Sequence, residues 1–156
     1  MQEEETFAIP AKPEIVEKGQ IGEILSRIEK AGFKIKALKM VRLTKEQAAE
    51  FYREHKNKPF FDSLCTYMSK GRVVVAILSG PDAIKRYRTL EGATDPKKAA
   101  KGTLRGDFGT DREANAVHGS DSPESAKREI RFFFSEFETL ANAGQKHSAP
   151  QKNFAR

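Results

Sequence analysis

The chain has no tryptophan, one cysteine and three histidines among its 156 residues. A lone thiol, Cys65, closes no intrachain disulfide and builds no cysteine-based zinc site, so ordinary packing must hold the fold. Long hydrophobic runs are also missing. The longest, Val73 to Leu78, suits a buried strand and falls far short of the roughly 18 residues that a membrane span needs. Neither a GxxxxGKS nor a GxxxxGKT phosphate loop occurs, and Gly102, Gly106 and Gly109 do not match the GxGxxG spacing. There is no HExxH and no cluster of His, Cys and carboxylates at metal-ligand spacing, which argues against an intrinsic catalytic metal. The opening Met1-Gln2-Glu3-Glu4-Glu5 is acidic where a secretory or mitochondrial leader is basic, so the expected location is the cytoplasm.

What is present fits one domain. Hydrophobic residues make up 38% and charged residues 32%, polar for a globular chain but enough for a core. Net charge is +6, from 28 Lys and Arg against 22 Asp and Glu. From Thr139 onward there is no acid, while Lys146, Lys152 and Arg156 fall there, so half the excess belongs to the last stretch. We therefore expect a folded unit over residues 1–138 and a basic, polar tail over 139–156 that is mobile or docks on a neighbouring subunit. A mildly basic body leaves nucleic acid, nucleotides and plain solubility open.

Periodicity gives an element order of βαβααβα. Thr6 to Ala11 reads as a strand, and Ile21, Ile24, Leu25 and Ile28 repeat at helical spacing up to Gly32. Phe33 to Leu43 alternates apolar and basic residues as a half-buried strand does. Thr44 with Gln47 three positions on forms a capping-box signature for a helix through Tyr52. A second helix is expected over Phe60 to Met68 and a third strand over Arg72 to Leu78. Pro81 is expected at the first position of a helix reaching about Thr89. Glu91 to Ala114 has little periodicity, and a loop that long in a small domain is usually functional. Val117 and His118 end a short strand. Ser122-Pro123 then starts a helix whose apolar face is expected to be Ala126, Ile130, Phe133, Phe134 and Phe137. Few strands among many helices predict an α+β fold, best met by a ferredoxin-like sandwich: a small, mostly antiparallel four-stranded sheet covered by helices.

The richest segment chemically is Asn115 to Glu124, NAVHGSDSPE. A histidine at a strand end, with hydroxyls and a helix N-terminus just after it, is placed to handle phosphate. Imidazole serves as a nucleophile when neutral and when its second nitrogen is held by an acceptor. Glu129, on the edge of the apolar face, can be that acceptor, since an acid there is costly unless paired. The alternative is a surface turn histidine beside a solvated glutamate.

NAVHGSDSPE closely resembles the active-site signature of nucleoside diphosphate kinases. Other segments match in order: Lys12-Pro13, GFKIKALKM from Gly32, HKNKPFF from His55, GATDP from Gly92 and GTLRGDFG from Gly102. The resemblance spans about residues 5 to 138. It implies a ping-pong phosphotransferase in which His118 accepts the γ-phosphoryl group of a nucleoside triphosphate such as ATP and passes it to a nucleoside diphosphate. Glu129 and Ser120 would orient the imidazole, and Arg88, Thr94 and Arg105 would bind phosphates. Lys12 and Asn115 would hold ribose and phosphate oxygens, Tyr52 would support the site and Phe60 would stack on the base. Mg2+ would arrive with the nucleotide, and the assembly would be a homo-oligomer, hexamer or tetramer.

Four positions depart from the family's pattern: Pro10-Ala11 replaces branched apolar residues, Glu14 stands for aspartate, and Arg112 stands where an apolar residue often covers the base. Pro10 cannot donate to a strand ladder, so a bulge or a lost bond is expected close to Lys12. Two other readings compete: a catalytically weakened structural homologue, and a basic nucleic-acid-binding module of the same fold. Lys70-Gly71-Arg72-Val73 begins faintly like an RNA-recognition strand, but valines stand where stacking aromatics are needed, so nucleic acid is not expected as the main partner.

Overall fold

The computed structural model describes residues 3–139. Its elements are β1 (Glu3–Ala11), α1 (Pro13–Glu17), α2 (Ile21–Lys30), β2 (Lys34–Arg42), α3 (Lys45–Phe51), α4 (Phe61–Ser69), β3 (Arg72–Pro81), α5 (Ala83–Glu91), α6 (Leu104–Phe108), β4 (His118–Gly119) and α7 (Pro123–Phe133), with a 3-10 turn at Arg53–His55. The sheet order is β2-β3-β1-β4, every neighbouring pair antiparallel. This is the ferredoxin-like α+β sandwich that the sequence predicts. Among the described residues no helix is long and apolar enough to cross a membrane.

The apolar run in β3 reflects burial on both faces. Val73, Val75 and Ile77 join Phe7 and Ile9 under α3, α4 and α7, packed against Phe51, Leu64, Met68 and Phe133. Val74, Ala76 and Leu78 join Ala8 on the other face, against Ile15, Ile24, Ile28, Tyr87 and Leu104. With the central strands covered on both sides, they offer no open face on which bases could stack. Edge strand β2 differs, exposing Leu38 and Met40 at 45% and 46%.

The expected irregularity beside Pro10 is present. Ala8 pairs with Ala76 and Ala11 with Val74, so three steps on β1 span two on β3, and Ile9-Pro10 carry the extra residue. Side chains in a strand alternate faces, and one inserted residue flips the parity. Phe7 and Ile9 face one core, yet Ala11 faces the other, with Ala8. Lys12, next in line, thereby turns to the side of the sheet where Phe51, Tyr52 and α7 lie.

Local reading fails at four places. Pro81 ends β3, and the turn into α5 is made by Asp82 in a left-handed conformation (φ 48°). Pro13 starts a five-residue helix, α1, too short to show periodicity. Inside the long loop, Thr103 caps α6 by accepting a bond from the Gly106 N–H. Helix α7 stops at Phe133; Phe134 is extended but buried, and Phe137 is 78% exposed. The predicted tail, apart from Thr139, lies outside the described residues.

Candidate functional site

The site begins with a tight turn. Ala116, fully buried, has φ 77°, a region that alanine rarely adopts. The Val117 N–H bonds the Asn115 carbonyl at 2.9 Å, closing a three-residue turn of the strained kind. Two outside contacts hold it. The Ala116 N–H donates to Glu14 Oε2 at 3.0 Å, and the Lys12 N–H donates to the Ala116 carbonyl at 2.9 Å. Glu14, from α1, reaches this turn with one oxygen while Oε1 is buried without a partner; burial raises its pKa.

The turn delivers His118 onto β4, where it pairs with Ile9 of β1. Phe51 and Tyr52 meet the imidazole edge-on, with centroids 5.6 and 6.5 Å away. Next to it, Gly119 is demanded by close approach: a Cβ would lie 2.5 Å from the Tyr87 ring. Glu129 comes from α7, started by Ser122 accepting from the Ser125 N–H and by Pro123 in the first turn. Arg128 pins that helix to α3 by donating to the Glu50 and Phe51 carbonyls at 2.8 and 3.0 Å.

His118 Nε2 and Glu129 Oε1 are 3.0 Å apart, and the Ser120 hydroxyl donates to the same oxygen at 2.6 Å. Burial pushes the Glu129 carboxyl upward, but the bonds and charge from His118 and the Ser120 bond outweigh it and leave it below the usual range. An ionised carboxylate only accepts, so Nε2 carries the proton and Nδ1 keeps a free lone pair.

Around this pair runs a cleft of about 520 Å³. Lys12, Tyr52, Phe60, Arg88, Thr94, Arg105, Asn115, His118 and Glu129 all line it. Ser120 lies behind the wall, on Glu129. Lys12 Nζ donates to Asn115 Oδ1 at 2.6 Å, and Asn115 in turn donates to the Thr94 carbonyl at 3.0 Å. Burial, then the nearby Arg105 charge, lowers the Lys12 ammonium to about 8. Arg105 is buried and donates to the Val117 and Gly92 carbonyls at 3.0 and 3.2 Å. Gly92 ends α5 at φ 86°, where a Cβ would strike Thr103, so α5 and α6 are held close. Arg88, Thr94 and Phe60 are exposed at the rim. Sequence reasoning did not single out His55, whose ring lies 5.6 Å from Phe60, or Asp121, both in the lining.

A ferredoxin-like sheet carrying a carboxylate-bonded histidine in a cleft with buried Lys and Arg defines a phosphoryl-handling class of protein. Residues 4–139 match the family model described as nucleoside diphosphate kinase. The chain is 55% identical over 137 residues to the nucleoside diphosphate kinase of Desulfosudis oleivorans, covering 88% of this chain and 98% of that one. Nucleoside diphosphate kinase 1 of Protochlamydia amoebophila is 55% identical over 86% of this chain and 94% of its own. Among solved structures, the Aquifex aeolicus nucleoside diphosphate kinase superposes with a TM-score of 0.85 at 51% identity, over 88% of this chain and 99% of that one. The Halobacterium salinarum enzyme, solved in complex with CDP, gives 0.83 at 42% identity, over 88% and 91%. The chain belongs to the nucleoside diphosphate kinase family.

Proposed function

We propose that this kinase works by a ping-pong route through a phosphohistidine on His118. The supporting observation is the Nε2 to Glu129 bond, which commits the ring to the tautomer with a lone pair on Nδ1. Nδ1 attacks the γ-phosphorus of a nucleoside triphosphate. A P–N bond forms as the bond to the β,γ-bridging oxygen breaks, and the nucleoside diphosphate leaves with that electron pair. The positive charge gained by the ring lies against the Glu129 carboxylate, itself steadied by Ser120. A second diphosphate attacks the same phosphorus with a terminal oxygen, and the ring returns to its starting form.

Loose phosphoryl-transfer transition states ask mainly for positioning and charge neutralisation. Lys12 and Arg105 are fixed for this by bonds to Asn115, Val117 and Gly92, while Arg88 and Thr94 receive outer phosphate oxygens from the rim. Tyr52 keeps the imidazole edge in place, and Phe60 offers a ring face to any base, a contact that is blind to base identity. Among the described residues no three His, Cys, Asp or Glu gather as a metal group. We read Mg2+ as held chiefly by the nucleotide's own phosphates, with Glu54, Glu113 and Asp121 as carboxylates of the lining that could receive it. Bound so, it would neutralise phosphate charge.

We also read the protein as a cytoplasmic homo-oligomer, hexamer or tetramer; the apolar side chains exposed on edge strand β2 support self-association. Sedimentation of the purified chain tests the assembly. For the reaction, incubation with γ-labelled ATP should give acid-labile, base-stable label on His118 that discharges onto any of a mixed set of diphosphates. Absence of label, or label that persists in His118→Ala, overturns the route.

A further inference from the structure

One buried acid has no part in the scheme above. Glu91, the last residue of α5, is 1% exposed and does not line the cleft. Both its oxygens are buried without a hydrogen bond. Its Oε1 lies 3.6 Å from the Arg105 guanidinium and its Oε2 lies 3.9 Å from Arg88 Nε, beyond hydrogen-bond range but within reach of charge. An isolated carboxylate is among the costliest groups to bury, and apolar side chains of that size pack such a place more favourably. Two cations of the phosphate site are what this one faces.

We propose that Glu91 is a positioning residue for the phosphate-binding arginines, a buried counter-charge that holds Arg105 and Arg88 from behind the cleft wall and limits how tightly they grip a diphosphate. The inference rests on the functional reading above. Arg105 spends two of its N–H groups on the carbonyls of Val117 and Gly92, and its Nε is buried without a partner. Glu91 supplies the charge that those neutral carbonyls lack. Arg88, 47% exposed, is tethered by it only loosely and can turn toward a phosphate. Charge shared backward is charge withheld from the substrate, and a ping-pong enzyme must release a nucleotide in every half-reaction, a diphosphate in the first and a triphosphate in the second.

The groups that face Glu91 come from four elements: Arg105 on α6, His118 on β4, Lys12 after β1, and Arg88 with Tyr87 on its own α5. Burial raises the Glu91 carboxyl above its ordinary value, with Arg105 the largest opposing influence, so its charge is lost at a higher pH than that of an exposed carboxylate. Protonation should therefore tighten diphosphate binding. By reciprocity, a bound diphosphate should raise the Glu91 titration.

The test is ADP affinity, without triphosphate, for the unaltered chain, Glu91→Gln and Glu91→Leu, followed from acid to neutral pH. At the upper end of the series, where the native carboxylate is ionised, both variants should bind ADP about fivefold or more tightly than the unaltered chain, the low end of typical site coupling. The ratio should shrink toward one as pH falls and the native carboxylate protonates. Titration of ADP itself is common to all three proteins and cancels in that ratio. A merely structural role predicts altered melting temperatures with a ratio of one at every pH, and this overturns the proposal. Should neither variant fold, the Glu91 carboxyl carbon signal in the native protein decides: its midpoint must move upward on adding ADP, and an unmoved midpoint overturns the proposal. No ADP binding by the unaltered chain overturns the functional reading itself, and with it this one.

Discussion

His118 and Phe60 line the same cleft but are held in opposite ways. His118 is gripped by a strand partner, a carboxylate at 3.0 Å and two edge-on aromatic rings. Phe60 is 49% exposed, beside α4, with the His55 ring as its aromatic neighbour. On the proposed route the inner corner fixes atoms because attack on phosphorus tolerates little misplacement. The rim offers surface, which on the same reading suffices for bases of different shape. Substitutions at the corner should therefore change rate, and those at the rim affinity.

The largest effect is expected from His118→Ala. Transfer from ATP to a mixed diphosphate set should fall by roughly a thousandfold or more, because the proposed route loses its covalent carrier. ADP binding and thermal stability should stay near those of the parent. Turnover above a tenth of the parent's would mean that another group carries the phosphoryl.

Glu129→Gln comes next. An amide can still accept from Nε2, but it no longer balances the ring charge, so single-turnover phosphorylation of His118 should slow about 10- to 100-fold, the worth of one hydrogen bond to a charged group. Affinity should barely move. The pH dependence has a definite sign. The folded carboxyl titrates below its unfolded value, so its contribution to stability is complete above the ordinary carboxylate range and is lost as pH falls through the lower folded value. Acid unfolding of Glu129→Gln should lack that component. Equal phosphorylation rates in the two proteins would reduce Glu129 to a structural acid.

Phe60→Ala probes the other side of the comparison. Loss of a stacking face worth about 1–3 kcal/mol should weaken nucleoside diphosphate binding about tenfold, alike for purines and pyrimidines. The rate at saturation and the melting temperature should hold. A fall in saturated rate with unchanged affinity would break the distinction between corner and rim.

What could be read from the sequence follows from how local each signal is. The two-sided strand β3 announces itself by a continuous apolar run, and the Thr44–Gln47 box is present with both of its bonds. Pro81 was misleading because a proline ending a strand and one opening a helix look alike until the left-handed Asp82 is seen. The short helices α1 and α6 carry too few residues for periodicity to emerge. Most candidate site residues were legible only through the family resemblance of motifs scattered along the chain. Glu91 was not, since Thr89-Leu90-Glu91-Gly92 looks like any exposed helix end; its burial is created by α6 and β4 folding over it.

The smallest effect, and the one that tests how the corner is made, belongs to Pro10→Ala. The bulge at Ile9-Pro10 turns Lys12 toward the cleft, and proline suits it because an extra residue leaves an N–H outside the ladder. Alanine restores that N–H in a buried place and frees the unfolded chain. Stability should drop by about 1 kcal/mol, from added unfolded-state entropy and an unpaired donor. The bulge itself is fixed by neighbouring contacts, the Lys12 N–H to the Ala116 carbonyl on one side and the Ala8 pairing with Ala76 on the other. Transfer activity should therefore stay within about twofold of the parent, a factor worth only a few tenths of a kcal/mol. Denaturant unfolding, with transfer assayed on the same samples, measures both. A more stable variant with much lower activity would mean that the ladder had closed over the bulge and carried Lys12 to the wrong face.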